Sequence, residues 1–106
     1  MKNENNYSVE IIRYKISVDN QKKFIEAYDS TLKILKNSPY CSGLEVIHGV
    51  DEPENFIVRI HWTSIEDHLN KFRVSDEFQS FFNLVKPFFN NIQEMKHYES
   101  TKILWS

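Results

Sequence analysis

From Val9 to Ile16 apolar, largely β-branched residues crowd a short run broken by Arg13 and Lys15, and this predicts a first strand. Asp19 is placed to cap a helix, along which Phe24, Tyr28, Leu32 and Leu35 recur at steps of four and three, one helical face. Asn37-Ser38-Pro39 stops that helix, because Pro39 cannot continue it and restrains Ser38. Gly43 opens a second strand over Leu44 to Val50, with Leu44, Val46 and His48 on one side and Glu45 and Ile47 on the other. A polar turn, Asp51 to Asn55, joins it as a hairpin to a third strand, Phe56 to Trp62. There Phe56, Val58, Ile60 and Trp62 share one face while Ile57, Arg59 and His61 share the other. Thr63 and Glu66 stand as a capping box before a short helix carrying Ile65, Leu69 and Phe72. Ser75-Asp76 caps a second aromatic helix with Phe78, Phe81, Phe82, Val85 and Phe89, which Pro87 brings to a close. Ile92 to Tyr98 alternates as a last strand.

The element order is βαββαβ, the ferredoxin-like split unit, so the predicted class is α+β with one antiparallel sheet. Residues 9–101 form the single expected domain, preceded by a flexible polar terminus over 1–8 and followed by a tail over 102–106. Ile103-Leu104-Trp105 is apolar for a tail and is expected to pack on a partner subunit or on the domain's own edge. Helices can cover one face of such a sheet. The apolar residues opposite Trp62 need other cover, since large exposed apolar patches are uncommon in monomers. A two-fold homodimer with sheets packed face to face supplies it, making a dimeric α+β barrel.

Composition narrows the function classes. At 106 residues the chain suits one domain, and its net charge of −2 gives no basic field for nucleic acid. No apolar run approaches the ~20 residues that span a bilayer, and no signal-peptide core follows Met1. Cys41 stands alone, which excludes an internal disulfide and fits a reducing cytoplasm. Eight Phe, five Tyr and two Trp are many for this length, and they fill either a core and interface or a pocket for a flat aromatic ligand.

Few side chains offer chemistry. Trp62 ends its strand with its indole directed at the helix layer, and His68 follows at the edge of the apolar stripe of the next helix. There His68 serves as a partly wet base for a phenol or an activated C–H, or as a boundary histidine bonded to a carbonyl. His97 and Tyr98 are adjacent in a strand, face opposite sides of the sheet and cannot act on one substrate atom together. Arg13, beside Tyr14 on the first strand, needs an anionic partner, either a ligand oxygen or a carboxylate such as Glu94 or Glu99. No paired cysteines, HxxxH or facial carboxylate set marks a metal site, and neither glycine lies in a nucleotide-binding loop. Cys41 has no adjacent base to make it a nucleophile.

Trp62, the Ser64-Ile65-Glu66-Asp67-His68 run, the Phe72-Arg73-x-Ser75 turn and the terminal His97-Tyr98, in that order, resemble the antibiotic biosynthesis monooxygenase family of small dimeric α+β barrel proteins. The resemblance covers Val9 to Thr101. It implies a cofactor-independent monooxygenase acting on a small aromatic, quinol-type substrate. In that reading His68, Trp62 and Arg13 form the catalytic set, and Tyr14, Phe72, Phe82, His97 and Tyr98 bind the substrate. The haem-degrading branch pairs a first-strand Asn and a Trp with a His further along the helix. Here Arg13-Tyr14 and Lys71-Phe72-Arg73 stand at those places and His68 comes one turn early, so haem is disfavoured and no cofactor is expected. The alternatives are a non-catalytic dimeric protein that binds an aromatic metabolite or haem, and a pocket filled by its own Phe residues.

Overall fold

In the computed structural model, which describes residues 7–105, six main elements follow in the order β1 (Ser8–Lys15), α1 (Gln21–Lys36), β2 (Cys41–His48), β3 (Asn55–Trp62), α2 (Asp76–Val85) and β4 (Ile92–Glu99). Most of the terminus expected to be flexible, residues 1–6, and residue 106 of the tail lie outside the described residues. The sheet runs β2-β3-β1-β4 with every neighbouring pair antiparallel, so β1 and β2 flank β3 as the split unit requires. The fold is α+β and ferredoxin-like.

Strict alternation assigns the faces. Ser8, Glu10, Ile12 and Tyr14 of β1 and Phe56, Val58, Ile60 and Trp62 of β3 are buried against the helix layer. From α1, Phe24 sets its ring within 4.8 Å of both Tyr14 and Phe56 and 5.3 Å from Phe88. The buried stripe of α1 is Phe24, Tyr28, Thr31 and Leu35. Thr31 takes the inward place beside half-buried Leu32 by donating its hydroxyl to the Tyr28 carbonyl at 2.6 Å. The opposite face of the sheet carries charge among its apolar residues: Arg13 lies 3.9 Å from Glu94 and Arg59 3.2 Å from Glu45.

Several boundaries differ from expectation for identifiable reasons. The second strand is Cys41–His48 and not Leu44 to Val50, because the Gly49 amide donates to the Asn55 carbonyl at 2.8 Å and turns the hairpin there. At its other end the strand begins at Cys41, two residues before Gly43. A side chain at Gly49 would collide with the Glu52 carbonyl, so this turn needs glycine. Asp19 does not cap α1; it sits inside a 3-10 turn, Val18–Asn20, and Asn20 is the cap residue, its side chain donating to Ser17 and not to the helix. Ser75 does cap α2, accepting from the Phe78 amide at 3.2 Å.

The largest local difference lies between Trp62 and α2. Asp67–Phe72 is a π-helical turn, closed by the Arg73 amide donating to the His68 carbonyl at 3.1 Å. The wider turn keeps Phe72 inward as expected but brings His68 in beside it and leaves Ile65 and Leu69 44% and 40% exposed, where the α-helical reading had those two on the buried stripe and His68 at its edge. Its start is capped by Ser64, whose hydroxyl accepts from the Asp67 amide at 2.9 Å, and not by a Thr63–Glu66 box. Thr63 donates instead to the Asp67 carboxylate at 2.6 Å. After α2, Pro87 sits at the start of a 3-10 turn, Lys86–Asn91, that leads into β4. Ile103, Leu104 and Trp105 do not pack on the domain's own edge; Trp105 is 98% exposed.

Candidate active site

Between the helix side of the sheet and the π turn plus α2 lies a cavity of about 400 Å³. Trp62, Phe72, Phe81 and Phe82 give it aromatic walls, so the Phe residues of this chain do not fill it. Its polar groups are few: Glu10 and His68 in the wall, Arg73 at the rim, and the Tyr14–Tyr28 pair. A largely apolar space with a few convergent polar groups is the usual form of a small-molecule site.

The polar end is assembled from four elements. Glu10 of β1 stands directly opposite His97 of β4 in the sheet register, on the same face. Trp62 at the end of β3 donates its indole N–H to Glu10 Oε1 at 3.1 Å. His68, delivered by the π turn, stacks flat on the Trp62 ring at 4.1 Å and 3° between planes. Its Nδ1 lies 2.8 Å from Nε2 of His97. Trp62 therefore fixes both the carboxylate, by a hydrogen bond, and the imidazole, by stacking.

Charge at this end is set by burial. Burial raises the Glu10 carboxyl above its ordinary 4.5, against the lowering effects of the Trp62 hydrogen bond and Arg73. Burial, then the nearby Arg73 and His97, pushes the His68 imidazole down to about 3. Burial and Arg73 also lower His97. Glu10 Oε1 is 3.7 Å from His68 Nε2, near enough for an ion pair but too long for a hydrogen bond. The depressed His68 decides between these readings: the imidazole is neutral, and the contact is that of a carboxyl beside a neutral base. A carboxylate that is reluctant to ionise is a stronger base than an exposed one, which suits proton abstraction.

Tyr14 and Tyr28 meet hydroxyl to hydroxyl at 2.7 Å, in the buried part of the cavity wall. Burial holds both phenols protonated, Tyr14 up at about 12 and Tyr28 well above its ordinary value. They can donate and accept hydrogen bonds here, and they are not bases.

The expected site residues divide cleanly. Trp62, His68, Tyr14, Phe72 and Phe82 line the cavity, and His97 touches it through His68. His68 is 3% exposed, not a partly wet boundary residue, because the π turn rotates it inward. Arg13 and Tyr98 are not brought to the cavity. Both point from their strands to the far face of the sheet, Arg13 beside Glu94 and Tyr98 half exposed. Two residues were given no role in the sequence reading, Glu10 and Arg73, the second named only within the Phe72-Arg73-x-Ser75 turn. Glu10 shares the alternate positions of Ile12 and Tyr14, so a carboxylate on a buried face was there to be seen. Arg73 takes the cationic place expected of Arg13. Among the described residues Arg13 and Arg59 have carboxylates within ion-pair reach and Arg73 has none. Cys41 is half-buried, and burial raises its thiol away from reactivity.

Glu10, His68 and His97 also bring one potential metal-ligand atom each within 4.8 Å of one another, two imidazoles and a carboxylate. The ring centroids of His68 and His97 are 5.0 Å apart. That is near the longest separation a 2.8 Å N···N contact permits, so the two nitrogen lone pairs point at each other along one line. A shared proton fits that arrangement. A cation would need both rings turned towards a third point, and the donor set as it stands does not fit one. Haem fits no better, since Nδ1 of His68 is bonded to His97 and Nε2 is turned to Glu10.

No helix among the described residues is long and apolar enough to cross a membrane. The family model described as antibiotic biosynthesis monooxygenase matches residues 8–84. No curated protein matches the sequence. Among solved structures, SnoaB, a cofactor-independent oxygenase from Streptomyces nogalater, superimposes with a TM-score of 0.76 at 11% identity, over 95% of this chain and 99% of that one. A protein of Bordetella bronchiseptica carrying the provisional name of antibiotic biosynthesis monooxygenase gives 0.73 at 17% identity, over 93% and 99%. A conserved protein of Methanosarcina mazei gives 0.73 at 16%, over 92% and 96%. At these identities the structural likenesses establish the fold.

Proposed function

The chain belongs to the antibiotic biosynthesis monooxygenase family, and on that footing we propose that it is a cofactor-independent monooxygenase for a small, flat, phenolic or quinol-type molecule. The observation that carries this reading is a buried carboxylate, Glu10, set in the wall of an aromatic cavity with the Arg73 cation at its rim. A flat substrate lies against Trp62 and Phe72. Glu10 takes its acidic proton, and Arg73 stabilises the resulting oxyanion. The electron pair left behind makes the anion rich enough to reduce O2, and the two couple as a peroxide. Loss of water from that peroxide leaves a new carbonyl on the substrate carbon. One oxygen atom of O2 is then in the product and the other in water, whose two hydrogens equal in number the two lost by the substrate, one of them returned as a proton to the peroxide anion.

SnoaB shares this fold and is itself a cofactor-independent oxygenase, which favours the same economy here. We further place the protein in a homodimer built on the far face of the sheet, where Ile57 and Ile11 lie between the Arg13–Glu94 and Arg59–Glu45 pairs. The free, half-buried Cys41 suits work in a reducing cytoplasm.

The test is a comparison of wild type with Glu10→Gln against a panel of phenols, hydroquinones and anthrones. Ligand binding is followed by Trp62 fluorescence and turnover by oxygen uptake. Glu10→Gln is expected to bind as wild type does and to lose turnover by roughly 10²–10⁴-fold. Undiminished uptake in the variant would remove Glu10 from the mechanism. Stoichiometric binding with no uptake in wild type would leave a binding protein for aromatic metabolites instead.

A further inference from the structure

We infer that His97 is the proton exit of this cavity, and that Glu10, His68 and His97 form a relay carrying a substrate proton from the cavity to solvent. The identity of the first proton donor rests on the oxygenase reading above; the relay itself is a property of the protein without substrate.

The geometry runs in one direction. Glu10 and His68 line the cavity, and His97 stands behind them, half-buried, on the edge strand β4. Among the described residues no buried side-chain nitrogen or oxygen lacks a hydrogen-bond partner. Among the described residues Nδ1 of His97 has no hydrogen-bond partner, and on this half-buried ring it reaches solvent. Nε2 of His68 makes none either, so it opens on the cavity beside Glu10 Oε1 at 3.7 Å. Between these two open nitrogens lies one direct contact, His68 Nδ1 to His97 Nε2 at 2.8 Å, with lone-pair axes nearly in line. Only one proton occupies that contact. Each ring has one nitrogen turned inward and one turned outward, the requirement for passing a proton on.

The step balances. The substrate O–H or C–H bond breaks, its electron pair stays on the substrate, and the proton forms an O–H bond on Glu10. With substrate bound, the 3.7 Å between the protonated Glu10 carboxyl and Nε2 of His68 closes to hydrogen-bond distance and the proton crosses, while His68 gives up its Nδ1 proton to Nε2 of His97. Nδ1 of His97 releases a proton to water. One proton enters and one leaves, neither ring stores a charge, and the same chain run in reverse returns a proton when the peroxide anion is protonated, so the overall reaction releases none. That economy matters because burial and Arg73 hold both imidazoles below their ordinary values, so a stable imidazolium is unavailable as an intermediate. Trp62 keeps the relay in register, holding Glu10 by its indole N–H and His68 by stacking. His97 does not touch the substrate; it is a positioning and proton-exit residue.

Two measurements test this together. The first is nitrogen NMR of histidine-labelled wild type without substrate, which reads scalar coupling between the two facing ring nitrogens. The coupling is expected in wild type and absent in His97→Ala. The second is steady-state turnover of His97→Ala, expected to fall roughly ten- to hundred-fold in kcat with KM held, and to recover on adding free imidazole. His61→Ala, on the far face, is the control and should turn over normally. Absent coupling in wild type overturns the relay, as does His97→Ala turning over like wild type or failing to recover with imidazole. Coupling present in a protein that oxidises nothing in the panel would sink the oxygenase reading and leave the relay standing.

Discussion

Glu10 and His68 are held out of water a few ångströms apart, and their opposed shifts make the folded state's response to pH specific. Unfolded, the His68 imidazole takes a proton near pH 6.5; folded, it resists protonation down to about 3. In that window the unfolded chain binds the extra proton. Stability is therefore full above pH 6.5 and is lost as pH falls towards 3, by up to about 1.4 kcal/mol per pH unit. His97, also lowered, adds in the same sense. Glu10 opposes it: its raised folded value gives stability below the unfolded value that is lost as pH rises through the folded one. Denaturant unfolding across this range should show a shallower acid loss in His68→Leu than in wild type; equal slopes would mean that His68 is not buried neutral. The tyrosine pair makes a second residue-level case. Tyr14→Phe or Tyr28→Phe each leaves the other buried hydroxyl without its 2.7 Å partner, at a cost of about 1–3 kcal/mol. The double variant should lose less than the two single losses added together, a non-additivity that unfolding curves measure directly. Residues were also where the sequence was least legible. Arg13 drew attention as the cation within β1, yet the pleat sends it to the far face, while three positions earlier the same alternation sends Glu10 inward. The meeting of His68 with His97 depends on the β1–β4 register, which no local pattern encodes.

At the scale of elements the pattern of apolar positions was a good guide wherever the helix was α and the strand regular. Phe24, Tyr28 and Leu35 of α1, the buried face of β3 and the Ser75 cap of α2 all lie where periodicity put them. The exception is the π turn Asp67–Phe72, for which a period of 3.6 residues was the wrong ruler. It places His68 rather than Leu69 against Trp62, and so creates the site. Two substitutions probe this level. Ser75→Ala removes the acceptor for the Phe78 amide and should cost about 1 kcal/mol. Gly49→Ala sets a methyl group against the Glu52 carbonyl at the hairpin turn and should destabilise by roughly 1–3 kcal/mol. Urea denaturation checks both, and an unchanged midpoint for Gly49→Ala would show that the turn can open without loss.

For the whole molecule, the split βαββαβ order and the antiparallel sheet were legible because each follows from element order alone. Assembly follows a different logic: the apolar residues of the far face are interleaved with ion pairs, and the Ile103-Leu104-Trp105 tail stands exposed on a single chain. Native mass spectrometry is expected to find two chains, and removal of residues 103–106 to weaken their association; a monomer at micromolar concentration would refute the dimer. The central claim concerns what the cavity does with oxygen. It is tested most directly by turnover of a phenolic or anthrone substrate under ¹⁸O2, with the protein stripped of metal and flavin and the product weighed by mass spectrometry. One labelled oxygen per product molecule is expected, with the second label in water and no dependence on added metal. A product labelled from water, or oxygen uptake that appears only when a cofactor is restored, would contradict it.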